Sequence, residues 1–278
     1  MTVTNDRPDI ESVLALLKSP DSAEIVRAAV QLEGSPASLT AAALIGLIDA
    51  ADDDVRSAVA RALGRLLYEE NNRAATISAL RLLLDDSQGF VRSDAIDSLA
   101  LMGSRDAKGR IEELLLYDPD PVVRATAAEA QIDLGDHTSE QVLRQALSDG
   151  AYITRSYAVM AAGLLGVVGL RSKIEELSET DPSPNVRIEA AIARYRLGDR
   201  SGVSVLVGEL ENADDDTLIV WVNGVSDLVS RKTPLAFAGM DANDLRTALE
   251  PARNHAAAPP AGVAILLGKL ARFACRDA

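Results

Sequence analysis

Along most of this chain, apolar and small residues recur on one side of a helical period and are punctuated at a nearly constant interval. The segment from Asp120 to Gly135 shows the pattern most fully. Val123, Ala127, Ala128 and Leu134 fall at helical spacing, which predicts a helix with one buried face. Asp120 is suited to cap that helix and Pro121 to open it, while Gly135 supplies a left-handed stop. The pattern returns from Ser183 to Gly198, from Gly89 to Gly103, and from Asp53, where Gly64 arrives early. Between these segments lie second leucine-striped stretches at 74–84, 111–116, 142–147 and 203–210, so each unit reads as a helical hairpin.

Arginine marks the register. Arg27, Arg56, Arg92, Arg124, Arg155 and Arg187 are separated by 29, 36, 32, 31 and 32 positions. In the last four copies an alanine follows at the third place (Ala95, Ala127, Ala158, Ala190) and a glycine at the eleventh (Gly103, Gly135, Gly166, Gly198). This is an internal repeat of about 32 residues. A two-helix unit of that size cannot bury its apolar face alone, so neighbours must stack into a continuous core. The fold class expected is all-α: a right-handed α-solenoid of about eight antiparallel hairpins. The first pairs 10–17 with 23–32 and the last pairs 245–253 with 262–274. The chain is expected to be one domain over 1–278, with a flexible start at 1–8, regular repeats over 20–211 and divergent capping repeats over 212–278. Near 217–229 the arginine gives way to Leu218 and Ile219, and the sole tryptophan, Trp221, appears.

The repeats at 118–135 and 181–198, with their aspartate, proline, Val-Arg pair, paired alanines and closing Leu-Gly, resemble the HEAT repeat, in the short form named after phycobilisome chromophore lyases. The resemblance covers roughly 20–211. It implies a solenoid built for contact, in a family that includes scaffolds, regulators and a few enzymes.

Composition supports close helix packing: hydrophobic residues make up 47% and aromatics 3%, with alanine letting helix axes approach and leucine filling between them. A net charge of −14 repels nucleic acid and anionic membranes, and favours a basic or amphipathic protein or peptide as partner. The single cysteine, Cys275, has no internal disulfide partner, and the polar stretch 1–7 has no apolar signal core. A cytoplasmic location is expected.

Candidate chemistry is sparse. The two histidines, His137 and His255, are not followed by the glutamate that iron-dependent enzymes resembling this repeat class use. The aspartate runs at 52–54 and 214–216 read as solvated helix entrances rather than metal sites. Cys275 has no histidine beside it and no serine sits in a nucleophile-elbow context, so neither catalytic nor metal-binding residues nor a cofactor are assigned. Arg56, Arg92, Arg124, Arg155 and Arg187, each at the start of its helix beside acidic loop residues such as Asp86, Asp118, Asp120, Asp149 and Asp181, are expected to form a structural ladder between repeats.

Helical geometry then places the positions two, five and nine after each arginine on the inner, concave surface. The second unit presents Ala58, Arg61 and Arg65 there, and the third and fourth present Asp94, Asp97, Glu129 and Asp133. The fifth presents Tyr157, Met160 and Leu164, and the sixth Ile192. An acidic patch steering a basic segment beside an apolar one that anchors it makes a non-enzymatic scaffold or adaptor the leading reading. The resemblance leaves an alternative, a phycobilin-lyase-like enzyme or subunit acting on a tetrapyrrole. Self-association through the terminal hairpins is compatible with both. The loop at 231–240, with Phe237 and Met240, is expected to cover the end of the core beside Trp221.

Overall fold

The computed structural model describes residues 9–68, 73–135, 139–211 and 214–228. These residues form fourteen α-helices in chain order: α1 (Ile10–Leu16), α2 (Ser22–Gln31), α3 (Ala37–Ile45), α4 (Asp53–Gly64), α5 (Arg73–Leu83), α6 (Gly89–Leu101), α7 (Lys108–Tyr117), α8 (Pro121–Leu134), α9 (Glu140–Ala146), α10 (Tyr152–Leu164), α11 (Arg171–Thr180), α12 (Pro184–Arg196), α13 (Gly202–Glu211) and α14 (Asp215–Leu228). No sheet occurs among the described residues; a single isolated bridge joins Pro36 to Leu67. The fold is an all-α solenoid of paired helices. The hairpin expected at 245–274, the loop at 231–240, His137, His255 and Cys275 lie outside the described residues.

The chain divides into two compact units, the first ending at Leu134 and the second beginning at Gly135. In the first, α2, α4, α6 and α8 pack side by side as an inner row, and α1, α3, α5 and α7 each back the helix that follows. In the second, α10, α12 and α14 form the inner row, with α9, α11 and α13 behind.

The recurring alanine explains how the inner rows close up. Ala95, Ala127, Ala158 and Ala190 are all fully buried. At some contacts even a methyl group is too much. A Cβ on Gly64 of α4 would stand 2.4 Å from the Ser98 Oγ of α6, and one on Gly163 of α10 would stand 2.8 Å from the Ala193 Cβ of α12. Ser98 uses the proximity, donating its hydroxyl to the Ala60 carbonyl at 2.9 Å. Gly103, Gly166 and Gly198 close their helices with φ of +63°, +68° and +89°, the left-handed turn that the repeat pattern requires of them.

The stack changes character at α14. Trp221 is buried against Ile188, Ile192, Tyr195, Leu206 and Val225, and its indole N–H donates to the Leu206 carbonyl at 2.8 Å. Trp221 is the seventh residue of α14, the position that the buried alanine takes in α6, α8, α10 and α12.

Candidate functional site

The fourth residue of α4, α6, α8, α10 and α12 is the recurring arginine. In one direction its guanidinium reaches back to the loop that precedes its own helix. The Nη1 of Arg56, Arg92, Arg124, Arg155 and Arg187 donates to the carbonyls of Ala50, Asp86, Asp118, Asp149 and Asp181, at 2.7–2.8 Å. In the other it makes a two-pronged ion pair with a carboxylate further on. Arg56 holds Asp86, Arg92 holds Asp118, Arg155 holds Asp181 and Arg187 holds Glu209, with shortest N–O distances of 2.6–2.7 Å. The same carboxylates also cap their loops, since Asp86, Asp118 and Asp181 accept the backbone N–H of Gln88, Asp120 and Ser183 at 2.9 Å. An aspartate six places before one arginine therefore binds the arginine of the preceding repeat through its side chain and the arginine of its own repeat through its carbonyl. The bonded carboxylates hold the four guanidinium groups even more firmly protonated than usual, against the opposing effect of burial.

Arg27 stands apart from this arrangement. It is the sixth residue of α2 rather than the fourth, and its side chain is exposed.

The inner face of the first unit carries a different chemistry. Asp94 and Asp97 on α6, Glu129 and Asp133 on α8, and Arg61 and Arg65 on α4 line one cavity of about 300 Å³, together with Leu101. Asp94 and Arg61 also border a second cavity of about 850 Å³, lined by Val26, Phe90 and Val122 and by Asp21, Asp52 and Asp54. Shared walls make the two a continuous trough across α2, α4, α6 and α8. Its apolar members stand open to solvent: Phe90 is 44% exposed, Val122 51% and Leu101 64%.

Electrostatically the trough is unbalanced. Asp94 accepts a hydrogen bond from the Ser57 hydroxyl at 2.5 Å. Asp97, Glu129 and Asp133 have no ion pair among the described residues. Partial desolvation between the helices pushes the Asp97 carboxyl up to about 6 although the residue stays open to solvent, reinforced by Glu129 and Asp94 and opposed by Arg65. Desolvation also raises Glu129, with Asp133 adding to the effect, and raises Asp94 despite the Ser57 hydrogen bond and the pull of Arg61 and Arg65. Like charges crowd here without a cation bonded among them.

The structure brings Asp94, Asp97, Glu129 and Asp133 together in the first unit. Tyr157, Met160 and Leu164 lie on α10 of the second unit, each half-buried. Two assignments to the inner surface need correction. Ile192 is fully buried, because α14 crosses it at Gly224, where a Cβ would come within 2.2 Å of the Ile192 Cδ1. Ala58 is fully buried as well. Conversely, Phe90 and Val122 escaped the count of positions after each arginine because both lie two places before it, where the first turn of α6 and α8 faces the trough. An exposed apolar residue at that position in consecutive repeats was the available signal.

Asp52, Asp53 and Asp54 bring one carboxylate oxygen each within 4.8 Å of one another. Asp52 is engaged as the cap of α4, accepting the N–H of Asp54 at 3.0 Å and of Val55 at 3.4 Å, so the cluster reads as a helix entrance. No helix among the described residues is long and apolar enough to cross a membrane.

Family models place this architecture. Residues 10–100 and 40–132 match HEAT repeats. Over residues 10–132, then, the chain carries HEAT repeats. Among solved structures, the chain is similar to Escherichia coli YibA, with a TM-score of 0.58 and 19% identity over 96% of this chain and 93% of the other. It is also similar to the complex of CpcE and CpcF of phycocyanin lyase from Nostoc sp. PCC7120, with a TM-score of 0.54 and 21% identity over 84% of this chain and 94% of the other. At these identities the likeness is one of fold. No curated protein matches the sequence.

Proposed function

We propose that this protein is a non-enzymatic interaction scaffold, and that the inner face of its first unit takes a basic, apolar-anchored segment of a partner protein. One observation carries the reading: Asp97, Glu129 and Asp133 crowd a cavity without a bonded cation, on the same helices that expose Phe90, Leu101 and Val122. Acid steers and orients a cationic chain, and apolar side chains displaced from water hold it. A repeat solenoid supplies this surface from a fixed frame and needs no activated residue. Under this reading the half-buried Tyr157, Met160 and Leu164 are a secondary contact, and the arginine ladder is structural.

The test is a cross-linked pull-down from the native host. Replacing Asp97 and Glu129 by lysine should abolish capture of the partners retained by wild type, while replacing Tyr157 and Met160 by serine should weaken it less. Capture that survives the lysine substitutions unchanged would end the assignment.

The fold likeness to CpcE and CpcF supports a second reading, a lyase subunit that handles a tetrapyrrole. The trough argues against it, since the propionate groups of a tetrapyrrole are anionic and would meet four carboxylates there. Absorbance separates the two readings: a visible band copurifying with the protein, or a spectral shift on adding a bilin, would favour the lyase.

A further inference from the structure

The trough is polar along its length, and that polarity defines the segment that fits it. The inner-row helices α4, α6 and α8 follow one another, and each presents its own charge: Arg61 and Arg65 on α4, Asp94 and Asp97 on α6, Glu129 and Asp133 on α8. Arg61 has no ion pair among the described residues, and Arg65 approaches Glu33 only at 3.7 Å while remaining about half exposed. Neighbouring packed helices stand about 10 Å apart. A chain in the polyproline II conformation advances about 3.1 Å per residue and repeats its side-chain direction every three residues, so it moves from one helix to the next in about three residues with those side chains on one face.

Resting on the scaffold reading above, we infer that the partner segment is dipolar and adopts the polyproline II conformation, with an acidic residue over the α4 arginines and basic residues three and six positions away over the carboxylates of α6 and α8. The pattern is Glu-x-x-Lys-x-x-Lys, in either chain direction. A uniformly basic segment of that length meets repulsion at α4, and one with its charges two residues apart leaves a carboxylate pair unmatched. The order of charges thus supplies selectivity that net charge does not. Asp97 faces Arg61 and Arg65 from α4, Asp94 on its own helix, and Glu129 and Asp133 from α8. A lysine seated among these carboxylates favours the charged form of Asp97, which partial desolvation disfavours in the free protein.

Fluorescence anisotropy with synthetic peptides tests this on the full chain. The peptide carrying Glu-x-x-Lys-x-x-Lys should bind roughly threefold to fivefold more tightly than the same peptide with glutamine for glutamate, the worth of one partly exposed ion pair. The Arg61→Gln/Arg65→Gln double variant should erase that difference, with its circular dichroism melt confirming that it folds. Shortening both intervals by one residue should weaken binding as well. Affinity for the dipolar peptide should fall as pH drops from about 7.5 to about 5.5, and the fall should be smaller for Asp97→Asn. Binding that follows net charge alone, indifferent to glutamine, spacing and the arginine variants, would overturn the charge order while leaving the scaffold reading intact. If no peptide binds, and the lysine substitutions at Asp97 and Glu129 leave pull-down capture unchanged, both fall together.

Discussion

Arg155 shows what a single residue does in this protein. Its guanidinium is buried, gripping Asp181 through two prongs at 2.7 and 2.8 Å and the Asp149 carbonyl at 2.8 Å. Truncation would strand the Asp181 carboxylate, itself almost fully buried, without its cation. Arg155→Ala is therefore expected to lose about 3 kcal/mol in urea denaturation. Arg110→Ala, which breaks the exposed pairs with Asp85 and Glu113, should lose under about 1 kcal/mol. Similar losses for the two would contradict the structural role of the ladder. Asp97 behaves in the opposite sense. Its carboxyl is raised in the folded state to about 6 from an ordinary value of 3.8, so folding takes up a proton between those values. The resulting stabilisation is complete below about 3.8 and is lost as pH rises through about 6. Asp97→Asn should stabilise the protein at pH of about 7.5, by about 1 kcal/mol once solvent screening of this open carboxylate is allowed for, and the gain should vanish near pH 4. Melting curves across that range check it. A carboxylate that costs stability yet lines a trough is the kind of residue that binding, rather than folding, explains.

Between helices, the closest approaches set the geometry of the row. Gly64 has no room for a side chain: its Cβ would meet the Ser98 Oγ at 2.4 Å, Cβ at 2.5 Å and Cα at 2.8 Å. Gly64→Ala must push α4 away from α6 and is expected to cost about 1–3 kcal/mol. Removing only the hydroxyl should not cure this, because the Ser98 Cβ remains in the way. Ser98→Gly should recover part of the loss in the double variant, and a double-mutant cycle by thermal melting measures the coupling. Contacts like this mark the boundary of what the sequence makes legible. Helix positions, the buried alanines and the left-handed glycines follow from periodicity, because each depends on residues near in sequence. The aspartate partners of the arginines were accessible too, since they stand at a fixed offset before the next arginine. Arg27 was misleading because spacing alone does not reveal that α2 begins at Ser22, leaving this arginine two places out of register with the others. The burial of Ile192 depends on where α14 crosses, and the repeat rule breaks down there, at Trp221 and Gly224. Phe90 and Val122 required knowing that the first turn of an inner helix borders the trough.

For the molecule as a whole, the sign of its charge decides how it responds to salt. The chain carries 42 acidic and 28 basic residues, and the buried arginines are already committed to carboxylates of the ladder. What remains is a surplus of acid, concentrated in the first unit at Asp94, Asp97, Glu129 and Asp133, where three of the four carboxyls are raised by desolvation. Ion pairs exposed to solvent weaken as salt rises, but so does repulsion among unpaired like charges, and at a net charge of −14 the repulsion is expected to be the larger effect. The short, buried arginine pairs are screened least, so added salt removes repulsion and leaves the ladder in place. The melting temperature is accordingly expected to rise between about 0.02 and about 0.5 M sodium chloride. The rise should be smaller in the Asp97→Asn/Glu129→Gln/Asp133→Asn variant, which starts from the relieved state. Salt should act in the opposite direction on binding, since it screens the attraction between the trough and a basic segment. Increasing ionic strength would then stabilise the scaffold while releasing its partner. Melting and binding titrations at matched salt concentrations test both halves, and a melting temperature that falls together with affinity would show that exposed ion pairs, rather than the crowded carboxylates, dominate the electrostatics of this protein.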